Sequence, residues 1–367
     1  MRKFLKFISV AFATISLAAC AKKPVSLNNC SIHRDDEFGG AYIDISIDGF
    51  NKLGFKFGDS LNLKFSNDVE YKDIGYYSGY YVPAGQELVV GYPGYDYVKF
   101  CINYGDDVYT INNFNKDTKV TITVNKEAKY KDIEDTLSIN YSDDPTAYTS
   151  EEEFANFREI TAGNVKQGIL YRGASPIDNR RNRTEIVDKL LQQNNILYDI
   201  DLADKGPTGS NYKINSYMQS LIDDNKVSFL GMAAAYKNDD FANKLKQMFL
   251  DILDNEGPYY IHCLEGKDRT GYVCMVIEAL LGASYEELVD DYFITYHNYY
   301  GIEKGDRKYE VIKEIHIDEM IRFVFEFDQS VNLLSASYFS KVNSYLLHIG
   351  LTQDQINQVQ DKLSNTK

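Results

Sequence analysis

The stretch Tyr259-Tyr260-Ile261-His262-Cys263-Leu264-Glu265-Gly266-Lys267-Asp268-Arg269-Thr270-Gly271 runs from a compact apolar segment through a polar turn into the apolar run Tyr272 to Leu281. It reads as strand, loop, helix, with Cys263 closing the strand and Arg269 opening the helix after five intervening residues. Such a loop turns successive backbone N–H groups inward as an anion nest, and the helix N-terminus adds positive potential. The candidate phosphate-binding positions are therefore Leu264, Glu265, Gly266, Lys267, Asp268 and Arg269. Arg269 can fork two donors onto two oxyanions, and Gly266 and Gly271 permit tight backbone geometry. The same field favours a thiolate over a thiol at Cys263. A buried Cys before a helix, or a basic residue near a helix start, is commonplace alone; the whole string on one strand-to-helix turn is not.

Around this stretch the chain alternates. Helical patterns over Glu185 to Gln193 and Phe241 to Asp254 lie between the apolar runs Ile196 to Leu202, Val227 to Leu230 and Tyr259 to Cys263. That alternation predicts an α/β domain, with a mostly parallel central sheet flanked by helices, over 150–367. Helices continue to the end, where Gly350 breaks one and Thr352 caps the next. Upstream, Asp143-Asp144-Pro145 and the acidic run Glu151-Glu152-Glu153 mark a joint. Before the joint the pattern changes to short alternating runs: Tyr42 to Ile47, Leu61 to Phe65, Leu88 to Val90, Tyr97 to Ile102 and Val120 to Val124. These predict a small all-β barrel or sandwich over 41–142, preceded by a linker at 20–40. With 30 Tyr and 0 Trp, half-buried sheet tyrosines are expected more than a carbohydrate or peptide surface.

The first residues read as an address. Arg2, Lys3 and Lys6 precede an apolar run from Phe7 to Leu17, about 11 residues, too short to cross a bilayer and suited to a signal-peptide core. The run ends Leu17-Ala18-Ala19-Cys20, which resembles the bacterial lipoprotein signal and implies removal of 1–19 and acylation of Cys20. Two or three acyl chains anchor stably where one is marginal. The mature protein is thus expected to be exported and tethered to the cell membrane or cell surface. A formal charge of −15 opposes non-specific binding to nucleic acid, so no nucleic-acid partner is expected. The five His are scattered and the remaining Cys show no ligand spacing, so neither metal nor cofactor is expected.

The central segment resembles the Cys-dependent protein tyrosine phosphatase superfamily, and its Gly-Lys-Asp-Arg-Thr-Gly form is similar to bacterial tyrosine and lipid phosphatases. The resemblance extends through Asn156-Phe157-Arg158-Glu159, through Gly168-Ile169-Leu170-Tyr171-Arg172-Gly173, and through Asp199-Ile200-Asp201-Leu202, which falls where the family has Asp-Leu-Arg. Ala203 stands in place of that Arg, and Glu159-Ile160 in place of Asp-Leu. The resemblance implies a phosphomonoester hydrolase acting on a phosphorylated protein or lipid, the alternative being a phosphate-binding pseudophosphatase whose β-domain is the working module. In it Cys263 is the nucleophile, Arg269 the oxyanion clamp and Asp201 the general acid, with Asp199, Asp204 and Asp268 as other candidates. His262 is expected to orient the loop, and Thr270 to hydrogen-bond the thiolate. The segment from Val82-Pro83-Ala84-Gly85 to Ile102-Asn103-Tyr104-Gly105 loosely resembles the small β-barrel of S-adenosylmethionine hydroxide adenosyltransferases. That second likeness implies a fold and no activity.

Overall fold

The computed structural model describes residues 24–36, 38–83 and 85–365. Its first half is a closed barrel of β1 (Ser26–Arg34), β2 (Ala41–Ile43), β3 (Ser60–Phe65), β4 (Glu70–Tyr77), β5 (Glu87–Val90), β6 (Val98–Ile102) and β7 (Lys119–Lys126). The strands follow the order β1-β2-β6-β5-β4-β3-β7, with β7 returning to β1. Side chains on a strand alternate between its faces. Leu61, Leu63 and Phe65 therefore fill the interior while Lys64 faces solvent, and Val120 and Ile122 answer them from β7. The outward Leu88 and Val90 are not exposed either. A layer containing Tyr77, Tyr80, Tyr81 and Tyr130 covers them.

Two expectations need correction here, and one strand was missed. The segment 20–40 is not wholly a linker, because β1 occupies Ser26–Arg34 and closes the barrel. Its apolar period is hidden by Asn28-Asn29 and by a register shift between Leu27 and Cys30. The alternation Tyr42 to Ile47 does not persist as a strand: the Ser46 side chain accepts from Gly49 N–H and starts a helix at Ile47–Lys52. Cap chemistry outweighs a six-residue pattern. Strand β4 was not foreseen, since Asp73 adopts a positive φ and Gly75 interrupts its apolar residues.

The second half contains β8 (Arg158–Glu159), β9 (Leu170–Gly173), β10 (Tyr198–Asp201), β11 (Val227–Phe229) and β12 (Tyr259–His262), in the order β11-β10-β12-β9-β8. All neighbours are parallel except the β8–β9 pair. Strands β9, β10 and β12 are buried on both faces, so they carry apolar runs rather than alternation. One face packs Ile200 and Ile261 against the helices Asp239–Asp254 and Asp268–Leu280. The other packs Tyr171 and Tyr260 against Thr184–Gln193 and Ser216–Asp223. At the C-terminal end, Gly350 takes a positive φ and Thr352 forms a capping box with Gln355. The two halves share apolar contacts, for Leu137, Tyr81 and Tyr104 join the core of the α/β half.

Candidate active site

Parallel pairing aligns the C-terminal ends of β9, β10 and β12. His262 lies in register with Gly173 on one side and with Asp201 on the other. Cys263 follows directly and is buried. Strand ends of this kind are where open α/β sheets place their sites.

The loop from Cys263 to Lys267 is held by its carbonyls. His262 Nδ1 lies 3.2 Å from Cys263 O, and Ser175 N–H donates to Leu264 O at 3.1 Å. Tyr299 OH donates to Glu265 O at 2.7 Å, as does Asn156 Nδ2 at 3.2 Å. Gly266 O accepts from Arg172 Nη2 at 3.0 Å and from Asn156 Nδ2 at 3.3 Å. Four consecutive carbonyls are thus drawn outward. Because a trans peptide sets its N–H opposite its C=O, the N–H groups of Leu264, Glu265, Gly266 and Lys267 turn the other way. They find no protein acceptor among the described residues. The helix Asp268–Leu280 adds the free N–H groups of its first turn, and no side chain caps it. Gly266 makes this shape possible: its φ is +68°, and a Cβ there would lie 2.3 Å from Gly173 O. Gly271 serves differently, for it sits inside the helix where a Cβ would meet the Tyr292 ring at 2.4 Å.

The imidazole of His262 is fully buried between Cys263 O and Asp199 Oδ2, the latter 3.1 Å from Nε2. Burial opposes its charged form, yet the Asp199 and Asp201 carboxylates outweigh this and bring its pKa up to about 10. Both ring nitrogens then donate. Asp201 is buried as well. Its Oδ1 accepts the N–H groups of Ala203 and Asp204 at 2.8 and 3.0 Å, while Oδ2 has no protein partner. Burial pushes the Asp201 carboxyl up to about 7, against the opposing pull of His262. Asp199 is committed to His262, and Asp204 accepts from Tyr212 OH at 2.7 Å.

Arg269 Nη1 donates to Met232 O at 3.0 Å, which ties the helix start to the loop after β11. The Thr270 hydroxyl is buried without a hydrogen-bond partner. Glu265 turns its side chain away, onto Tyr141 OH and Arg181. Lys267 Nζ lies over the Tyr296 and Tyr300 rings, at 5.5 and 5.9 Å from their centroids. The structure therefore gathers His262, Cys263, the loop amides, Arg269 and Thr270 at one place, with Asp201 on the adjoining strand. Asp268 lies at the rim, facing the barrel side.

The residues that the sequence reading missed are the outer clamps: Asn156, Arg172, Ser175 and Tyr299. Asn156 and Arg172 stand in the two motifs quoted above, where nothing but the likeness marked them. Arg172 and Arg158 converge on Asp291, with Arg158 Nε at 2.9 Å and Arg172 also in contact. Burial alone would raise the Asp291 carboxyl, but the two guanidinium groups outweigh it and hold it well below the usual range.

An anion nest behind a strand-end cysteine, with an arginine opening the next helix, defines a Cys-based phosphatase site. The sequence profile of the tyrosine phosphatase family matches residues 150–365. The chain belongs to that family and is a protein-tyrosine-phosphatase-like hydrolase. No match appears among curated proteins. Among solved structures, an uncharacterized conserved protein from Thermotoga maritima is 20% identical at a TM-score of 0.23, covering 32% of this chain and 42% of that one. The core catalytic domain of the PP-IP phosphatase SIW14 from S. cerevisiae, in complex with citrate, is 22% identical at a TM-score of 0.29, covering 47% and 92%. A second structure of the Siw14 catalytic core is 17% identical at 0.26, covering 46% and 95%. At such TM-scores these likenesses decide nothing about substrate.

Proposed function

We propose that the protein hydrolyses phosphate monoesters through a cysteinyl-phosphate intermediate, as a protein tyrosine or dual-specificity phosphatase. The observation that carries this is the row of four outward carbonyls, which aims four N–H donors at the space in front of Cys263. Cys263 Sγ attacks phosphorus and the bond to the leaving oxygen breaks. Asp201, neutral below about pH 7, gives that oxygen its proton. Water then attacks phosphorus and yields a proton to Asp201. The P–S bond breaks, inorganic phosphate leaves and the thiolate returns. The loop amides and Arg269 hold the equatorial oxygens as charge shifts, and splitting one displacement into two lowers each barrier. The unpartnered Thr270 hydroxyl supports a role as donor to the departing thiolate. A phosphoinositide is the second reading, favoured by the extra cation that Lys267 brings to the loop sequence, its Nζ lying over the Tyr296 and Tyr300 rings.

Cys20 lies outside the described residues. We read it as the acylated first residue of the mature chain, tethering the enzyme to a membrane. Fatty-acid labelling that disappears in Cys20→Ala is the expected result, and an unlabelled wild type overturns it. For the chemistry, Cys263→Ser abolishes turnover of p-nitrophenyl phosphate while phosphate analogues still bind. Arg269→Lys is severely impaired, since a point charge cannot reproduce the fork. More than a trace of turnover in Cys263→Ser contradicts the mechanism.

A further inference from the structure

Between the barrel and the α/β half lies a cavity of about 1350 Å³ whose floor includes Glu265, Lys267 and Asp268 of the phosphate loop. It exceeds the ~300–1,000 Å³ usual for a small-molecule site. The barrel supplies one wall, including Tyr80, Tyr81, Tyr92 and Tyr104; the opposite wall includes Tyr236 and Tyr296. Rings meet across the joint, Tyr104 lying 5.3 Å from Tyr236 and 5.8 Å from Phe323. We propose that this cavity is a substrate subsite built by both halves, and that it takes the uncharged, extended peptide segment beside a phosphorylated residue held at Cys263.

Three observations select that occupant. The first is charge. Lys99, Arg181, Lys237 and Lys267 are balanced by Asp106, Glu265, Asp268 and Glu319. Lys99 is spent on Asp35 at 2.6 Å, and Arg181 on Glu265 at 3.2 Å. Lys237 and Lys267 lie over the Phe323, Tyr296 and Tyr300 rings, so the lining is neutral as a whole, and the chain's net −15 disfavours polyanions. Next come the polar groups that would grip the neighbouring hydroxyls of a sugar ring. Asn103 holds Val82 O, Asn238 caps Phe241 N–H and Glu319 accepts from Gln329. Much of the remaining lining is tyrosine, which gives wide amphipathic contact at low entropy cost and adapts to peptide. Last is Tyr236: it is 3% exposed, lines the cavity, and its hydroxyl has no partner. Such a group both donates and accepts, as a peptide backbone requires.

The cavity borders the phosphate loop, three of whose side chains, Glu265, Lys267 and Asp268, line it. Tyr236 lies four residues beyond Met232, whose carbonyl holds Arg269. Tyr92 is 44% exposed on the barrel wall; burial and then the charges of Glu265, Lys267 and Asp268 act on its phenol. Its truncation removes contact area without opening the barrel core.

This inference rests on the phosphatase reading, and the test separates the two. With the full-length protein, kcat/KM is measured for p-nitrophenyl phosphate, free phosphotyrosine, phosphotyrosyl peptides with neutral aromatic or acidic flanks, and a phosphoinositide. The wild type is expected to prefer the neutral-flanked peptide over free phosphotyrosine. In Tyr92→Ala the ratio of peptide to p-nitrophenyl phosphate kcat/KM should fall about tenfold, and in Tyr236→Phe about threefold. Unchanged ratios in both variants overturn the proposal, as does a wild type indifferent to the flanks. A Tyr92 dependence seen with the phosphoinositide and not with peptide overturns it too, by naming another occupant. Absence of any Cys263-dependent turnover of p-nitrophenyl phosphate instead refutes the phosphatase reading itself.

Discussion

Burial at a strand end, with one oxygen unpartnered, pushes the Asp201 carboxyl up to about 7. In the proposed role of general acid it works only while protonated. With phosphotyrosine, kcat should therefore decline as pH rises through about 7, and Asp201→Asn should remove that limb while slowing the reaction by ~10²- to 10⁴-fold. An activated aryl phosphate, whose leaving group needs little proton donation, should slow far less. Equal slowing of both substrates would move the role to Asp204 or Asp268. The phosphate loop is legible from the sequence because Cys263, Gly266, Lys267, Asp268 and Arg269 lie within seven residues. The proposed acid is not, since four nearby Asp share the same local features. Asp199 differs from Asp201 in that its Oδ2 is taken by His262.

At the scale of the element, the phosphate loop is shaped from outside by donors far away in sequence. Tyr299 belongs to the helix Tyr285–Tyr300, Arg172 to β9, and Asn156 ends the helix Glu151–Ala155. Removing one such bond, as in Tyr299→Phe, should weaken vanadate or phosphate binding about three- to tenfold, the worth of a single hydrogen bond of ~0.5–1.5 kcal/mol. Gly266→Ala should abolish binding outright, because the added carbon meets the Gly173 backbone, which has nowhere to move; inhibitor titration by calorimetry checks both. Local pattern predicted the strand, loop and helix well. It missed β1 and β4, whose apolar period is broken by a register shift and by Asp73 and Gly75, and it read a cap at Ser46 as strand. Long-range clamps leave no local pattern at all.

For the whole molecule, the α/β half is bound together by a buried charge cluster as well as by its apolar core. Arg158 and Arg172 flank Asp291, and burial, with the charge of Asp291, pushes neighbouring Glu278 well above the usual carboxyl range. Asp291→Asn leaves two guanidinium groups unpaired and should cost about 3–5 kcal/mol, read by denaturant melts. The sign of the pH effect follows from the lowered carboxyl. Its stabilisation is fully present above the unfolded value near ~4 and is lost as pH falls toward the folded one, so the wild type should weaken in acid and Asp291→Asn should lose less. Beyond stability, the joint between barrel and α/β half matters because it sets a tyrosine wall against the phosphate loop. The central claim, covalent catalysis at Cys263, is tested most directly by rapid acid quench of the full chain during turnover, followed by intact-mass measurement. One added phosphoryl group, localised to the peptide carrying Cys263 and absent from Cys263→Ser, is the predicted result; steady turnover with no phosphorylated enzyme, or with phosphate on another residue, would contradict it.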